Sequence, residues 1–134
     1  MTGNESLPAG MELRREPEGL VLTADGMSLR ADFSRLLPRL GPRRLGRELL
    51  LRAARIRGCD RGLRAADATA GLGEDSLLLA AAGFDVTLFE RNSVIAVLLA
   101  DALERASREP ELYLQKIFFC RFRASYIHKS IKLH

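Results

Sequence analysis

The chain has 134 residues, of which 47% are hydrophobic and 28% charged, a composition that fits a single globular domain. No stretch approaches the roughly 18 consecutive apolar residues of a membrane span, and the polar opening shows no signal-peptide pattern. Cys59 and Cys120 stand far apart without ligand spacing, which excludes a disulfide scaffold or a cysteine-based metal site. A cytoplasmic protein with reduced thiols, no membrane partner and no metal is the expectation.

The net charge of +4 conceals a strong division along the chain. Residues 1–66 hold 13 Arg against 8 acids, residues 67–111 hold 3 Arg against 9 acids, and residues 112–134 hold 5 basic residues and no acid. Basic flanks around an acidic centre point to a polyanion bound beside a separate small-molecule site. The alternative is a solvated surface that merely prefers arginine.

In chain order, residues 1–18 read as a loose, disordered leader interrupted by prolines. Gly19 to Phe33 reads as a hairpin whose turn is Asp25-Gly26, because glycine accepts a positive φ without steric cost. Pro38, Gly41 and Pro42 break the chain. From Arg43 to Arg57 the spacing predicts one amphipathic helix, with Leu45, Leu49, Leu50, Ala53 and Ile56 on the apolar side and Gly58 as its stop. Arg44, Arg47, Arg52 and Arg55 fall on the other side. Leu63–Asp67 reads as a short strand, Gly71-Leu72-Gly73 as a turn, and Asp75–Ala82 as a helix closed by Gly83. Phe84–Glu90 alternates as a strand, and Asn92 or Ser93 caps a helix from Val94 to about Ala106. Strand, glycine turn, helix, strand, helix is the opening of a doubly wound parallel sheet. The domain plan is therefore a leader (1–18), a hairpin with an Arg-rich helix (19–62), a βαβα portion (63–111) and a basic, aromatic tail (112–134).

That tail differs from everything before it. All 3 Lys, both His and 5 of the 8 aromatic residues lie within it, whereas the first 111 residues use Arg 16 times and Lys never. It reads either as a nucleic-acid arm or as sequence from another reading frame or joined DNA; the simultaneous change in every respect favours the second.

The chemistry resides in Asp67-Ala68-Thr69-Ala70-Gly71-Leu72-Gly73-Glu74-Asp75-Ser76. Two glycines let the backbone pass close beneath a ligand, and the following helix presents unpaired N–H groups. Glu90 follows Asp67 by 23 residues and ends the next strand, where a carboxylate can accept both hydroxyls of an adenosine ribose. A dinucleotide and S-adenosylmethionine both suit such a cradle. Asp67, Glu74 and Asp75 repel a pyrophosphate but favour a sulfonium and an ammonium, so S-adenosylmethionine is preferred and NAD is kept as the alternative. An ordinary βαβ turn, with Asp75 complementing the helix dipole, is the plain structural reading.

These residues, with Ala80–Gly83, Glu90-Arg91-Asn92, the upstream Asp25–Phe33 and the downstream Leu98–Leu103, resemble the ribosomal RNA small subunit methyltransferase J family over about residues 19–111. The resemblance implies the N-terminal part of a class I, Rossmann-like methyltransferase sheet, preceded by a small hairpin and helix segment. It also implies methyl transfer from S-adenosylmethionine to the exocyclic N2 of a guanosine in 16S rRNA or the small ribosomal subunit. The family's cofactor contacts map onto Glu74, Asp75, Glu90 and Arg91, joined here by Asp67, Gly71 and Gly73 from the loop itself. Many relatives carry Arg at the position of Glu74. Through the same resemblance, Arg44, Arg47 and Arg55 are expected to track RNA phosphates.

Enzymes of this type place the amine with an Asp-Pro or Asn-Pro motif. Here the prolines follow Leu7, Glu16, Leu37, Gly41 and Glu109. The catalytic residues are therefore unassigned, and the expectation is a truncated or frameshifted product, its C-terminal strands missing, that does not methylate RNA. A cofactor- or RNA-binding remnant and a nicotinamide-dependent fragment remain as alternatives. His128 and His134 have no carboxylate near them in sequence, and Cys59 has no histidine before residue 128, so none is favoured as a catalytic group.

Overall fold

A computed structural model describes residues 7–59, 62–114 and 120–124. Two three-stranded sheets organise them. The first is an antiparallel meander of β1 (Met11–Glu16), β2 (Gly19–Ala24) and β3 (Met27–Leu29). Asp25 and Gly26 have φ of 50° and 76°, the pair of positive values that a two-residue hairpin turn of matching twist needs. The hairpin is thus present, but its second strand ends at Leu29, short of Phe33. Residues 11–16, expected in a disordered leader, form β1 and pair with β2 from Met11↔Ala24 to Glu16↔Gly19. Their exposed sequence, Met-Glu-Leu-Arg-Arg-Glu, lacks the apolar alternation that announces a strand, and the ladder to β2 supplies what the pattern does not.

A 3-10 helix over Phe33–Arg39 follows, capped by Asp32, which accepts hydrogen bonds from the Ser34 amide (3.0 Å) and hydroxyl (2.6 Å). The predicted continuous helix 43–57 is in fact two short ones, α1 (Pro42–Leu45) and α2 (Leu49–Ala54). Gly46 interrupts them, consistent with its poor helix propensity. The break turns Leu49 (76% exposed) and Ile56 (60% exposed) out to solvent, against the predicted apolar side. Helix α2 ends at Ala54, so Gly58 does not close it, although its φ of 78° is left-handed.

The second sheet has the order β4 (Arg64–Asp67), β5 (Asp85–Glu90), β6 (Cys120–Ala124), and all its pairings are parallel. Helices α3 (Glu74–Ala81), α4 (Ser93–Arg108) and α5 (Pro110–Leu114) lie between its strands in the chain. The α/β expectation holds, including Val86 and Leu88 buried against half-buried Asp85 and Thr87, and the Asn92 side chain accepting from the amides of Val94 and Ile95. A third parallel strand corrects the expectation of only two: β6 comes from the tail and pairs with β5 from Val86↔Cys120 to Glu90↔Ala124. His128 and His134 lie outside the described residues. The core is Leu77, Leu78, Val86, Leu88 and Leu99, closed on one side by Phe33, Leu36 and Leu51 from the segment that follows the hairpin. Among the described residues no helix is long and apolar enough to cross a membrane.

A carboxylate joins the first sheet to α4. Asp101, on the buried side of α4, accepts from the Leu20 amide (3.0 Å), Arg105 Nε (2.9 Å) and Arg15 Nη1 (3.2 Å). Arg105 also donates to the Ala31 carbonyl. Gly19 has φ of 129°, and a Cβ there would lie 2.5 Å from Arg105 Nε, so only glycine leaves room for this clamp.

Candidate cofactor-binding site

Strands β4 and β5 run parallel, so Asp67 and Glu90 emerge at the same edge of the sheet, where open α/β folds bind ligands. The loop between β4 and α3 crosses that edge, and both carboxylates hold it. Asp67 accepts from the Thr69 amide through Oδ1 (3.2 Å) and from the Ser76 hydroxyl through Oδ2 (2.6 Å), tying the strand end to the first turn of α3. Glu90 accepts from the Gly71 amide through Oε2 (2.9 Å) and from the Asn92 amide through Oε1 (2.7 Å). The Ala70 amide donates to the Phe89 carbonyl (2.9 Å), a second tie between loop and β5.

Glycine is required at two positions. Gly71 has φ of 55° and Gly73 of 82°, both left-handed. At Gly73 a Cβ would lie 2.7 Å from Leu99 Cδ1 and 2.9 Å from Phe33 Cζ. The loop therefore rests on a hydrophobic floor formed by Phe33 and Leu99. Phe33 belonged to the upstream stretch quoted for the resemblance, yet no local pattern in the sequence connects it to Gly73.

The acids surround this loop. Glu74 and Asp75 are exposed in the first turn of α3, where they complement the helix dipole and lend negative potential to the rim. Arg91 is exposed beside the half-buried Glu90. Of the residues predicted for the cofactor, Asp67 ends β4, Gly71 and Gly73 lie on this loop, Glu74 and Asp75 start α3, Glu90 ends β5 and Arg91 follows it. Arg39, which the sequence reading did not select, also stands here: it forms a two-pronged pair with Glu48 (3.0 and 3.1 Å) and feels the charges of Glu74 and Asp75. The Glu48 hydrogen bonds raise the guanidinium pKa, and they hold the Glu48 carboxyl below its usual range. Arg44, Arg47 and Arg55 are exposed around α1 and α2 and form no ion pairs among the described residues. Cys59 is a free, exposed thiol. No group of three metal-ligating side chains occurs among the described residues.

A carboxylate offers about four acceptor positions, so Glu90 retains two after its backbone bonds. Those two can take the vicinal hydroxyls of a ribose. A cradle of left-handed glycines beside a fixed carboxylate, at the open end of a parallel sheet and ringed by acids, defines the cofactor-binding half of a Rossmann-like fold suited to a cationic nucleoside.

The comparisons narrow that class. The family described as putative SAM-dependent methyltransferases matches residues 11–126, and the chain belongs to it. The match begins within β1 and extends beyond β6, past both ends of the resemblance read from sequence. The chain is 48% identical over 107 residues to the ribosomal RNA small subunit methyltransferase J of Alkalilimnicola ehrlichii, covering 75% of this chain and 40% of that protein. It is 42% identical over 115 residues to the protein of the same name from Acinetobacter baylyi, covering 78% and 42%. A SAM-dependent methyltransferase of Neisseria gonorrhoeae superposes with a TM-score of 0.67 at 28% identity, over 90% of this chain and 49% of that one. The chain thus spans less than half the length of these relatives. S-adenosylmethionine, preferred over NAD from the acids of the loop, is the cofactor that the family and the structural neighbour share. The residues present fit it: the fixed Glu90 carboxylate suits the ribose, and the acidic rim suits the sulfonium and ammonium.

Proposed function

We propose that this chain carries the cofactor-binding half of an S-adenosylmethionine-dependent methyltransferase acting on small-subunit rRNA. The methyl group goes to the exocyclic N2 of a guanosine, and the setting is the cytoplasm, where that RNA is found. The observation that carries the reading is the Gly71–Gly73 loop bound to Glu90 at the carboxyl ends of parallel β4 and β5; the names of the relatives supply the RNA. When bound, the cofactor supplies an electrophilic methyl on a sulfonium. Glu90 orients the ribose, Asp67 fixes the loop through Ser76, and Glu74 and Asp75 with Asp67 favour the ligand's positive charges. Arg91 stands at the mouth of the site, and Arg44, Arg47 and Arg55 bind RNA phosphates.

A guanine N2 is a weak nucleophile because its lone pair is delocalised into the ring, so methyl transfer needs an in-line positioning group. No proline among the 134 residues follows Asp or Asn. We therefore assign cofactor and RNA binding to this chain, and no turnover by it alone.

Titration calorimetry with S-adenosylhomocysteine and, separately, NADH tests the cofactor. Heat with the first and none with NADH is expected; binding of NADH alone would sink the methyltransferase reading. The Arg44→Ala, Arg47→Ala, Arg55→Ala triple variant should bind an rRNA fragment with a shallower dependence on salt, since each lost phosphate contact removes about 0.9 or less from the log–log slope. An unchanged slope removes these arginines from the RNA surface.

A further inference from the structure

The antiparallel sheet has a second face whose residues the cofactor site does not use. Cross-strand pairing sets Arg15 opposite Leu20 and Arg14 opposite Val21. Arg15 reaches Asp101 on α4, so Arg14 and Val21 point to the opposite side. Val21 is nonetheless only 4% exposed. It forms part of the wall of a cavity of about 190 Å³ whose other lining residues are Glu16, Ser28, Leu29, Arg30 and Arg35.

Two features of that cavity are unexplained by the fold. Arg30 Nε is sealed from solvent and has no hydrogen-bond partner among the described residues. A buried donor left bare costs about 1–3 kcal/mol, and more on a charged group. Arg35 is exposed at the same cavity and forms no ion pair among the described residues. The one acid in the lining, Glu16, pairs with neither arginine. The nearby Asp32 feels the charge of Arg30, but its Oδ1 is engaged by Ser34. The lining itself holds two guanidiniums against one carboxylate, an excess of one positive charge that Asp32, outside the lining, offsets in part.

We propose that this cavity is a subsite for one phosphodiester of a bound RNA strand, an inference that rests on the rRNA reading above. A phosphodiester carries one negative charge, which matches the excess of the lining, whereas Glu16 and the nearby Asp32 oppose a dianion such as a terminal phosphate. The phosphodiester oxygens supply the acceptor that Arg30 Nε lacks once the side chain turns that nitrogen toward the cavity. Arg35 donates from the rim in the planar, forked geometry that suits phosphate, and the Ser28 hydroxyl adds a neutral donor. The subsite is built from the meander and the 3-10 helix that follows it, not from the elements that carry Arg44, Arg47 and Arg55, and would extend the RNA path onto the N-terminal sheet.

Two measurements on the full chain test it. Fluorescence anisotropy with an rRNA-derived hairpin across salt concentrations compares wild type with Arg35→Gln and with Arg30→Gln/Arg35→Gln. The double variant should bind roughly 10-fold more weakly, with a salt slope shallower by about one phosphate contact and unchanged affinity for S-adenosylhomocysteine. Arg35→Gln alters only an exposed side chain and should move the slope in the same direction, so a fold defect in the double variant does not obscure the result. The second measurement follows the Arg30 Nε–H resonance during titration with dimethyl phosphate, which should shift it. If wild type binds RNA and the slope does not change in either variant, the subsite is overturned and the rRNA reading stands. If wild type binds S-adenosylhomocysteine but no RNA, the rRNA reading falls and the dimethyl phosphate titration decides the cavity: an unmoved resonance overturns it.

Discussion

Asp101 and Glu90 both hold the chain by accepting backbone N–H groups, yet they serve opposite ends. Asp101 is buried on α4, and its side chain is only 8% exposed. It accepts one amide and two arginines and joins the first sheet to α4. Glu90 is half-buried at a strand end, accepts two amides and forms no ion pair among the described residues. The first carboxylate is ringed by three donors and shielded, as a structural joint needs. The second keeps free acceptor positions facing water, as a ligand site needs. Identical chemistry is made architectural or functional by burial and by the presence of cations.

The most severe way to break this contrast is Asp101→Ala, which strips the acceptor from the Leu20 amide and two arginines. A loss of roughly 3 kcal/mol in urea unfolding is expected, the scale for removing one partner from a buried ion pair. A loss below 1 kcal/mol would show the joint to be incidental. The pH dependence sharpens the point. Burial alone raises the Asp101 pKa, but the Leu20 amide and the Arg105 and Arg15 guanidiniums outweigh it and hold the group below its ordinary 3.8. A depressed folded-state pKa contributes stability that is fully present above the unfolded value and is lost as pH falls below it. Wild type should therefore lose stability more steeply than Asp101→Asn below about pH 4, the range in which an unfolded aspartate takes up its proton. Parallel curves would remove Asp101 from the acid transition.

Gly73→Ala comes next. Its strained φ, and a Cβ driven into Leu99 and Phe33, should cost about 1–3 kcal/mol and at least about 10-fold in S-adenosylhomocysteine affinity, since the loop must lift off its floor. Full affinity in calorimetry would show that the loop's position is immaterial. Glu90→Gln is the mildest. It keeps one carbonyl acceptor but sets its NH2 against the second amide that Glu90 serves, so the melting temperature should fall by only a few degrees, while loss of the charged acceptor should weaken S-adenosylhomocysteine roughly 10-fold. A large fall in melting temperature instead would make Glu90 a second Asp101.

The parallel βαβα core was readable because its signals are local. Val86 and Leu88 alternate within one strand, Asn92 caps the helix that begins beside it, and the Gly71–Gly73 loop lies between its own strand and helix. The Asp25-Gly26 hairpin was readable for the same reason. What escaped was held by distant partners. Strand β1 carries no apolar alternation and exists by pairing with β2. The Arg-rich segment shows helical spacing, but Gly46 divides it, and the packing of Leu51 against the core decides which face turns inward. The tail changes composition so sharply that a parallel strand inside it was not expected, although β5 pairs with it. Asp101 was visible in hindsight as an acid within the apolar side of α4 with Arg105 one turn on, a pattern whose meaning depends on Gly19 and Leu20, far away in the chain.

That distance also sets an order of assembly. The Leu20 amide and its acceptor Asp101 are separated by 81 residues. The meander needs only its own turns, and hairpins close in microseconds. At roughly 5–20 residues per second of synthesis, Asp101 follows Leu20 out of the ribosome by on the order of 4–16 s. For that interval the newborn meander has its pairing but not its mate, with Leu20 uncovered on a face built to meet α4. The meander is therefore the element that waits, its apolar face open to water, until α4 has been made.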